Sequence, residues 1–466
     1  MDEMYPRFTV NGTGHGASHT PVVDVLGIGF GPSNLALAIA VTEHNERGGF
    51  PLTARFMERR PRFSWHPGML LEGATMQVSF LKDLVTLRDP TSRFTFLSYL
   101  HHKDRLIDFI NHKIIYPSRV EFHDYLSWCA DQAGELVNYG CEVVSGRPVE
   151  RDGYVTHYEV AYRTGRRDAL QVAAARNLVV APGLRPRMPV GITAGERIWH
   201  SHALLQEVAA FGVRDPRRFI VLGAGQSAAE AVDYLHRTFP SAEVCSLFAR
   251  YGYSHAEDSP FANRIFDPGT VDMFHAAPPA VKEMLTGYHA NTNYSVVDVN
   301  LIEELYRRHY QERVQGVERL RMLNASQLVD ARRRTDGVEV TVHHLPSGGL
   351  STLEADALVC ATGYEATPPL SLLPDVAPLL LRDAEGRLQV ERDYRVATGP
   401  EVLGGMYLCG ATEHSHGITS SLLSMAAVRA GAAVRFRQRV LPRRPLPGAV
   451  HGLGPGLATS DGVRRE

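Results

Sequence analysis

The chain has 466 residues, enough for about three domains of roughly 150 residues, or two large ones with an insertion. Apolar residues make up 44% and charged residues 21%, which excludes a disordered, collagen-like or supercharged chain. A formal net charge of -2 leaves no electrostatic footprint for nucleic acid, no apolar run is long enough for a membrane span, and the N-terminus lacks the basic and apolar regions of a signal peptide.

Residues 1–21 read as a disordered leader on a cytoplasmic protein. The first element is an apolar strand running into glycines and a helix-forming segment, from Val22 to Ile39. Its pattern is Gly27-x-Gly29-x-x-Pro32, with Gly31, Ser33 and Asn34 beside it. Gly27 is assigned the tight strand-to-helix turn. Gly29 is assigned the close approach of a pyrophosphate to backbone N–H groups at the helix N-terminus, where the macrodipole favours negative charge. Pro32 replaces the usual third glycine and suits a first helical turn. Glu58, ending the second strand, is placed to hold an adenosine ribose 2′-OH, although it lies farther from Gly27 than is usual.

The same motif type recurs from Phe219 to Leu235 as Gly223-x-Gly225-x-x-Ala228, with Gln226 and Ser227 in its turn. Here the second strand leads to Arg250. A guanidinium suits a 2′-phosphate and a carboxylate would repel one, so NADPH is favoured over NADH. Return strands close each half, ALQVAAARNLVVAPG ending at Gly183 and LEADALVCATGYE carrying Thr362, Gly363 and Tyr364. Two dinucleotide sites in one chain point to a flavin and a nicotinamide exchanging a hydride. The five cysteines, Cys129, Cys141, Cys245, Cys360 and Cys409, form no C-x-x-C, so a disulfide framework, a zinc site and a dithiol acceptor lose support, and dioxygen becomes the electron acceptor.

From about Tyr251 to Val296 the composition turns to Asn, His, Tyr, Pro and Phe, which suits an insertion lining a cleft. His414 and His416 have no third ligand near in sequence and read as packing or hydrogen-bonding residues, with no metal expected. Only four of the 49 basic residues are lysine, so Lys82 in its apolar frame calls for a chemical reason. The expected fold is α/β, with two Rossmann-like dinucleotide-binding domains and a small substrate-binding subdomain. An FAD domain spans 22–199 and is completed by 396–440, an NADPH domain spans 212–363 with the insertion at about 251–310, and 441–466 is a disordered tail.

Several unusual strings then fall into one pattern: WHPGMLLEGATMQVSFLKDLVTLRDPTSRFTFLSYL (Trp65 to Leu100), DSPFANRIFDP (Asp258 to Pro268), NTNYSVVD (Asn291 to Asp298), DALVCATGYE (Asp356 to Glu365) and EHSHGITSSLLS (Glu413 to Ser424). Together they resemble the flavin-dependent N-hydroxylating monooxygenases, the microbial ornithine and lysine N-monooxygenases of siderophore biosynthesis, over about Val22 to Arg439. The resemblance implies FAD in the first site and NADPH in the second. Reduced flavin captures O2 as a C4a-hydroperoxide, whose distal oxygen is attacked by the side-chain amine of L-ornithine; L-lysine and diamines are the alternatives.

On the matching positions, the resemblance implies that Lys82 pairs with the substrate carboxylate and Asn263 hydrogen-bonds the same group. It implies that Asn293 steers the amine, Gln77 lies beside the flavin and its oxygen adduct, Trp65 and His66 line the cofactor, and Ser421 lies near the polar group closing the pocket. A desolvated carboxylate needs a fixed countercharge, which supplies the reason for Lys82. Trp65, Met69, Met76 and Phe80 have the bulk for a closed, dry site. A flavin monooxygenase acting on carbon or sulfur would share the cofactors but have no use for a Lys82 and Asn263 clamp. The chain departs from the family pattern after Arg250, where Tyr251 to Glu257 needs a gap, at Ser420, where many relatives carry aspartate, and in the spacing from Gly195 to His200 and Ser201. The resemblance also implies a homo-oligomer, often a tetramer.

Overall fold

The computed structural model describes residues 20–434 except 49, 166–169 and 214, so the expected tail and nearly all of the expected leader lie outside the described residues. β1 (Val22–Ile28) is buried over its last five residues, as a central parallel strand covered on both faces must be. It enters the helix Pro32–Glu46 and then β2 (Ala54–Glu58). β3 (Val137–Tyr139) extends the parallel edge, while β4 (Cys141–Arg151), β5 (Tyr154–Thr164) and β6 (Gln171–Val180) form an antiparallel meander, in the order β3-β2-β1-β6-β5-β4.

After the short β7 (Leu184–Pro186), a second, parallel sheet is built from β8 (Ile198–His200), β9 (Arg218–Leu222), β10 (Glu243–Leu247) and β11 (Leu320–Leu323). An antiparallel excursion follows, β12 (Ser326–Arg334), β13 (Gly337–His344) and β14 (Gly349–Ala355), before β15 (Ala357–Cys360) completes the order β11-β10-β9-β15-β8. β16 (Tyr364–Ala366) pairs with β7, and β17 (Gly405–Leu408) returns to the first sheet beside the C-terminal half of β6.

Three expected boundaries move. β8 pairs with β15, so residues 198–200 belong to the second sheet and not to the end of a domain spanning 22–199. The return to the first domain begins well before 396, because Leu373, Val376, Leu380 and Leu388 pack into the core of Leu26, Tyr158 and Leu178. The insertion ends near Asp298 and not 310. Asp298 caps the helix Val299–Val314, and Leu305 of that helix is buried in the second domain's own core.

The packing also assigns the bulky residues expected to line a dry site. Met69 is buried in the core of the second domain and Met76 in that of the first, while Phe80 packs edge-on against Phe109 at 5.2 Å. Met69 and Met76 are core residues and Phe80 packs against the core, and Trp65 alone of the four carries its ring toward His66, at 4.8 Å.

Candidate active site

The two nucleotide turns are built on one plan, in a frame two residues later than the sequence pattern indicates for the first. Gly29 and Gly223 each follow directly on their strand, and their N–H groups donate to the neighbouring strand at Met57 O (2.8 Å) and Leu247 O (3.0 Å). Both have positive φ, and a Cβ on either would collide with a carbonyl just past the return strand, Ala181 O or Ala361 O. Gly31 and Gly225 are the equivalent helix N-caps, neither with a side-chain cap. The first motif is therefore Gly29-x-Gly31-x-x-Asn34. Asn34 takes the closing position by donating to Gly29 O at 2.6 Å. Gly27, expected to make the turn, lies inside β1, where a side chain would strike the Phe56 ring.

Pro32 and Ser33 open the first helix, with no acidic residue in its first turn. The carboxylate of Glu58 accepts N–H bonds from Phe30 (2.8 Å) and Arg60 (2.9 Å), which aims it at the turn and leaves acceptor capacity for a hydroxyl. In the second turn Ser227 occupies the second helical position, but Gln226 is already partly committed. Its Nε2 donates to Glu230 at 2.9 Å and its Oε1 accepts from Asp298 N at 2.8 Å, so it braces the helix and keeps a second N–H for a cofactor. Arg250 is exposed and uses Nη1 on Ser295 O (2.9 Å), with the rest of its fork forming no ion pair among the described residues.

Between the two turns, Tyr364 joins His66 and His200, with ring centres 6.1 and 5.2 Å away. His66 adopts a left-handed backbone (φ 47°) that turns its ring into this gap. Thr362 is tied to the Arg187 backbone through its hydroxyl, and Gly363 O accepts from His200 Nε2 at 2.9 Å. Gln77 is exposed and lies eleven residues beyond His66.

The residues expected on the substrate side lie near the C-terminal motif. Lys82 is half-buried, its Nζ 5.6 Å from the Phe266 ring centre, and forms no ion pair among the described residues. The adjacent Asp83 does not neutralise it, because that buried carboxylate accepts from Val85 N, Thr86 N, Thr86 Oγ1 and Phe96 N. Phe266 ends the turn Ala262–Phe266 that contains Asn263, and this turn packs on the turn Ile418–Ser421. The Asn263 amide uses one N–H on Asp258 O (2.6 Å), which leaves its second N–H as a donor suited to a carboxylate and its carbonyl oxygen as an acceptor. Asn293 touches the Tyr294 hydroxyl, which donates to Glu413 at 2.6 Å. Ser295, two residues on, packs against Gly225 of the second nucleotide turn. Asn293 thus stands between that turn and the C-terminal motif.

Comparison with known proteins gives the family. The model of the L-lysine 6-monooxygenase/L-ornithine 5-monooxygenase family matches residues 21–366. The chain belongs to this family. An L-ornithine N(5)-monooxygenase of Burkholderia cepacia is 41% identical over 432 residues, 91% of this chain and 96% of that protein. Among solved structures, the Kutzneria sp. 744 ornithine N-hydroxylase, described with reduced FAD, NADP+ and L-ornithine, has a TM-score of 0.86 at 45% identity, covering 90% of this chain and 100% of that one. The L-lysine 6-monooxygenase of Pseudomonas syringae has a TM-score of 0.79 at 33% identity over the same shares.

Two dinucleotides of the kind this family uses fit the residues present. A Cβ on Gly31 would meet no atom within 4 Å, so the first cradle is open, and Asn34 Oδ1 is buried beside it without a partner. Gly31→Ala therefore separates cofactor from fold. Stability of the FAD-free protein should change by no more than about 1 kcal/mol, while FAD content after purification falls. Gly29→Ala should instead destabilise the protein itself by about 1–3 kcal/mol, since the strained φ and the collision are intramolecular. Melting curves with and without FAD distinguish the two.

The monooxygenase also contains functional groups that motif reading passes over. Arg119 and Glu230 form a bidentate ion pair (2.6 and 2.8 Å) between the two nucleotide domains. Glu413 anchors Tyr294, and no spacing rule distinguishes either pairing in the sequence. His414 and His416 bond backbone carbonyls of Leu388 and Arg392, and His416 stacks on Tyr394 at 4.0 Å between ring centres. Burial lowers the pKa of His416 to about 3 and that of His200 to about 4. Because free imidazole titrates near 6.5, the unfolded chain takes up protons below that pH which the folded protein refuses. Stability present above about pH 6.5 should be lost progressively as pH falls toward 4. Melting temperatures from pH 8 to 5 should show the decline, and His416→Gln should make it shallower.

Proposed function

We propose that the protein is an L-ornithine N5-monooxygenase that uses FAD in the first nucleotide site and NADPH in the second, for siderophore or related natural-product biosynthesis. When bound, the flavin passes the two electrons of NADPH to O2, so that one oxygen atom enters the amine and the other leaves as water. The observation that carries the reading is the Lys82 ammonium, without an anionic partner among the described residues and set beside the turns holding Asn263 and Ser421. Lys82 holds the amino-acid carboxylate. Asn263 donates its second amide N–H to the same carboxylate, Asn293 directs the side-chain amine toward the gap lined by Trp65, His66 and Tyr364, and Gln77 lies beside the flavin. Glu58 binds the FAD ribose, and Arg250 the 2′-phosphate of NADPH.

The described cysteines are all free, which suits a cytoplasmic, NADPH-rich compartment. No helix among the described residues is long and apolar enough to cross a membrane. A homo-oligomer, of the tetrameric kind the resemblance implies, is part of the proposal, and sedimentation velocity checks it.

One methylene separates ornithine from lysine, worth only about 1–3 kcal/mol in a pocket. The test is hydroxylamine formation on FAD-loaded enzyme with NADPH, in parallel with L-ornithine, L-lysine, putrescine and cadaverine, recording NADPH consumption and peroxide. Product from ornithine, coupled to NADPH use, is expected. Product from lysine alone would reassign the substrate, and peroxide alone with every amine would refute N-hydroxylation of this set.

A further inference from the structure

Arg429 lies on the helix Ala426–Ala433, which packs along the helix Pro32–Glu46, and it is only 4% exposed. Its Nη1 donates to Thr419 O (3.0 Å) and Ser420 O (2.6 Å), and its Nη2 to Leu422 O (3.2 Å) and Ser33 Oγ (3.3 Å). Nε is buried without a partner. Among the described residues no carboxylate forms an ion pair with it, and the titratable groups whose shifts it influences are Tyr394 and Cys409, both uncharged near neutral pH. A full positive charge is thus buried among neutral acceptors, beside the first turn of a helix whose own N-terminus is electropositive and uncapped. Two fields of the same sign meeting in a desolvated place are unfavourable unless an anion lies between them.

We infer that Arg429 is the buried countercharge for the diphosphate of FAD, acting on it through the Ser33 end of the nucleotide helix. The inference rests on FAD occupying the first site. It gives Arg429 two connected tasks, since the guanidinium that faces the cofactor helix also holds the carbonyls of the 419–422 turn, where Ser421 sits.

The experiment separates charge from hydrogen bonding. Arg429→Gln keeps amide donors without the charge, and Arg429→Lys keeps the charge without the fork. Each variant and the wild type are stripped of FAD and titrated back by flavin fluorescence, with circular dichroism and melting curves of both forms. Losing a buried charge-assisted contact should weaken FAD binding in Arg429→Gln about 10- to 100-fold and shrink the rise in melting temperature on FAD addition. Arg429→Lys should stay within about threefold of wild type. Equal weakening in the two variants would mark a purely structural role and overturn the inference, as would unchanged affinity in both. Should Arg429→Gln fail to fold, a loss of about tenfold or more in Arg429→Lys would overturn it. Wild type that does not bind FAD would instead defeat the cofactor reading on which the inference stands.

Discussion

Lys82→Ala should raise the KM for L-ornithine about thirtyfold or more, while NADPH still reduces the flavin. Truncating one partner of a desolvated charge pair costs about 2 kcal/mol or more, and each 1.4 kcal/mol is a factor of about ten. The effect is large because little nearby substitutes. Asp83 faces inward onto four donors, Phe266 offers only a ring face, and Arg429, the other cation against these turns that forms no ion pair among the described residues, is held by the carbonyls of Thr419, Ser420 and Leu422. With substrate held poorly, electrons from NADPH should appear increasingly as peroxide, so the ratio of hydroxylamine to NADPH consumed drops with KM. Lys82→Arg should recover part of the affinity, since the charge is kept and its geometry changed. Unchanged KM and coupling in Lys82→Ala would defeat the carboxylate clamp and favour a substrate without that group, such as a diamine.

Glu230→Gln is expected to have the largest effect on stability. Glu230 is 4% exposed and receives both arms of Arg119, which heads the helix Arg119–Gln132 of the first domain. Arg119 also donates to Met69 O at 2.9 Å, on the segment that inserts into the second core. Removing one member of such a buried pair leaves an uncompensated charge and costs about 3–5 kcal/mol. At roughly 2–4 °C per kcal/mol for a domain of this size, the melting temperature should fall by about 6–20 °C. The double variant Arg119→Met/Glu230→Met removes both charges and should recover most of the loss, as replacement of buried ion pairs by apolar residues does. Because the pair ties the two nucleotide domains together, Glu230→Gln should also slow anaerobic flavin reduction by NADPH. A single variant as stable as wild type would show that the pair is solvated in solution.

Local chemistry carried the reading of the sequence far. A glycine that must follow a strand directly, an acid or an arginine beyond the second strand, and strings such as Met76 to Lys82 are properties of neighbouring residues, and they led to two nucleotide folds and the family. The frame of the first motif was less legible, because Gly27, Gly29 and Gly31 are locally interchangeable. Only the approach of Ala181 O to Gly29 and of the Phe56 ring to Gly27 tells them apart. Gly68 is a similar case. A Cβ there would run into His202 O, a contact across more than a hundred residues of chain that no local pattern contains.

The sequence by itself thus determined the α/β class and the two nucleotide-binding units, since each depends on backbone preference and hydrophobic period over a few residues. The tertiary structure alone decided which polar groups are free to work. Gln226 and the amide of Asn263 are held in place by internal hydrogen bonds, Lys82 keeps its charge available because Asp83 is saturated elsewhere, and Arg119 and Arg429 become largely desolvated cations with opposite fates, one paired with a carboxylate and one not. The reason is that hydrogen bonding and desolvation are set by whatever the fold brings within about 3 Å, and those partners come from distant parts of the chain.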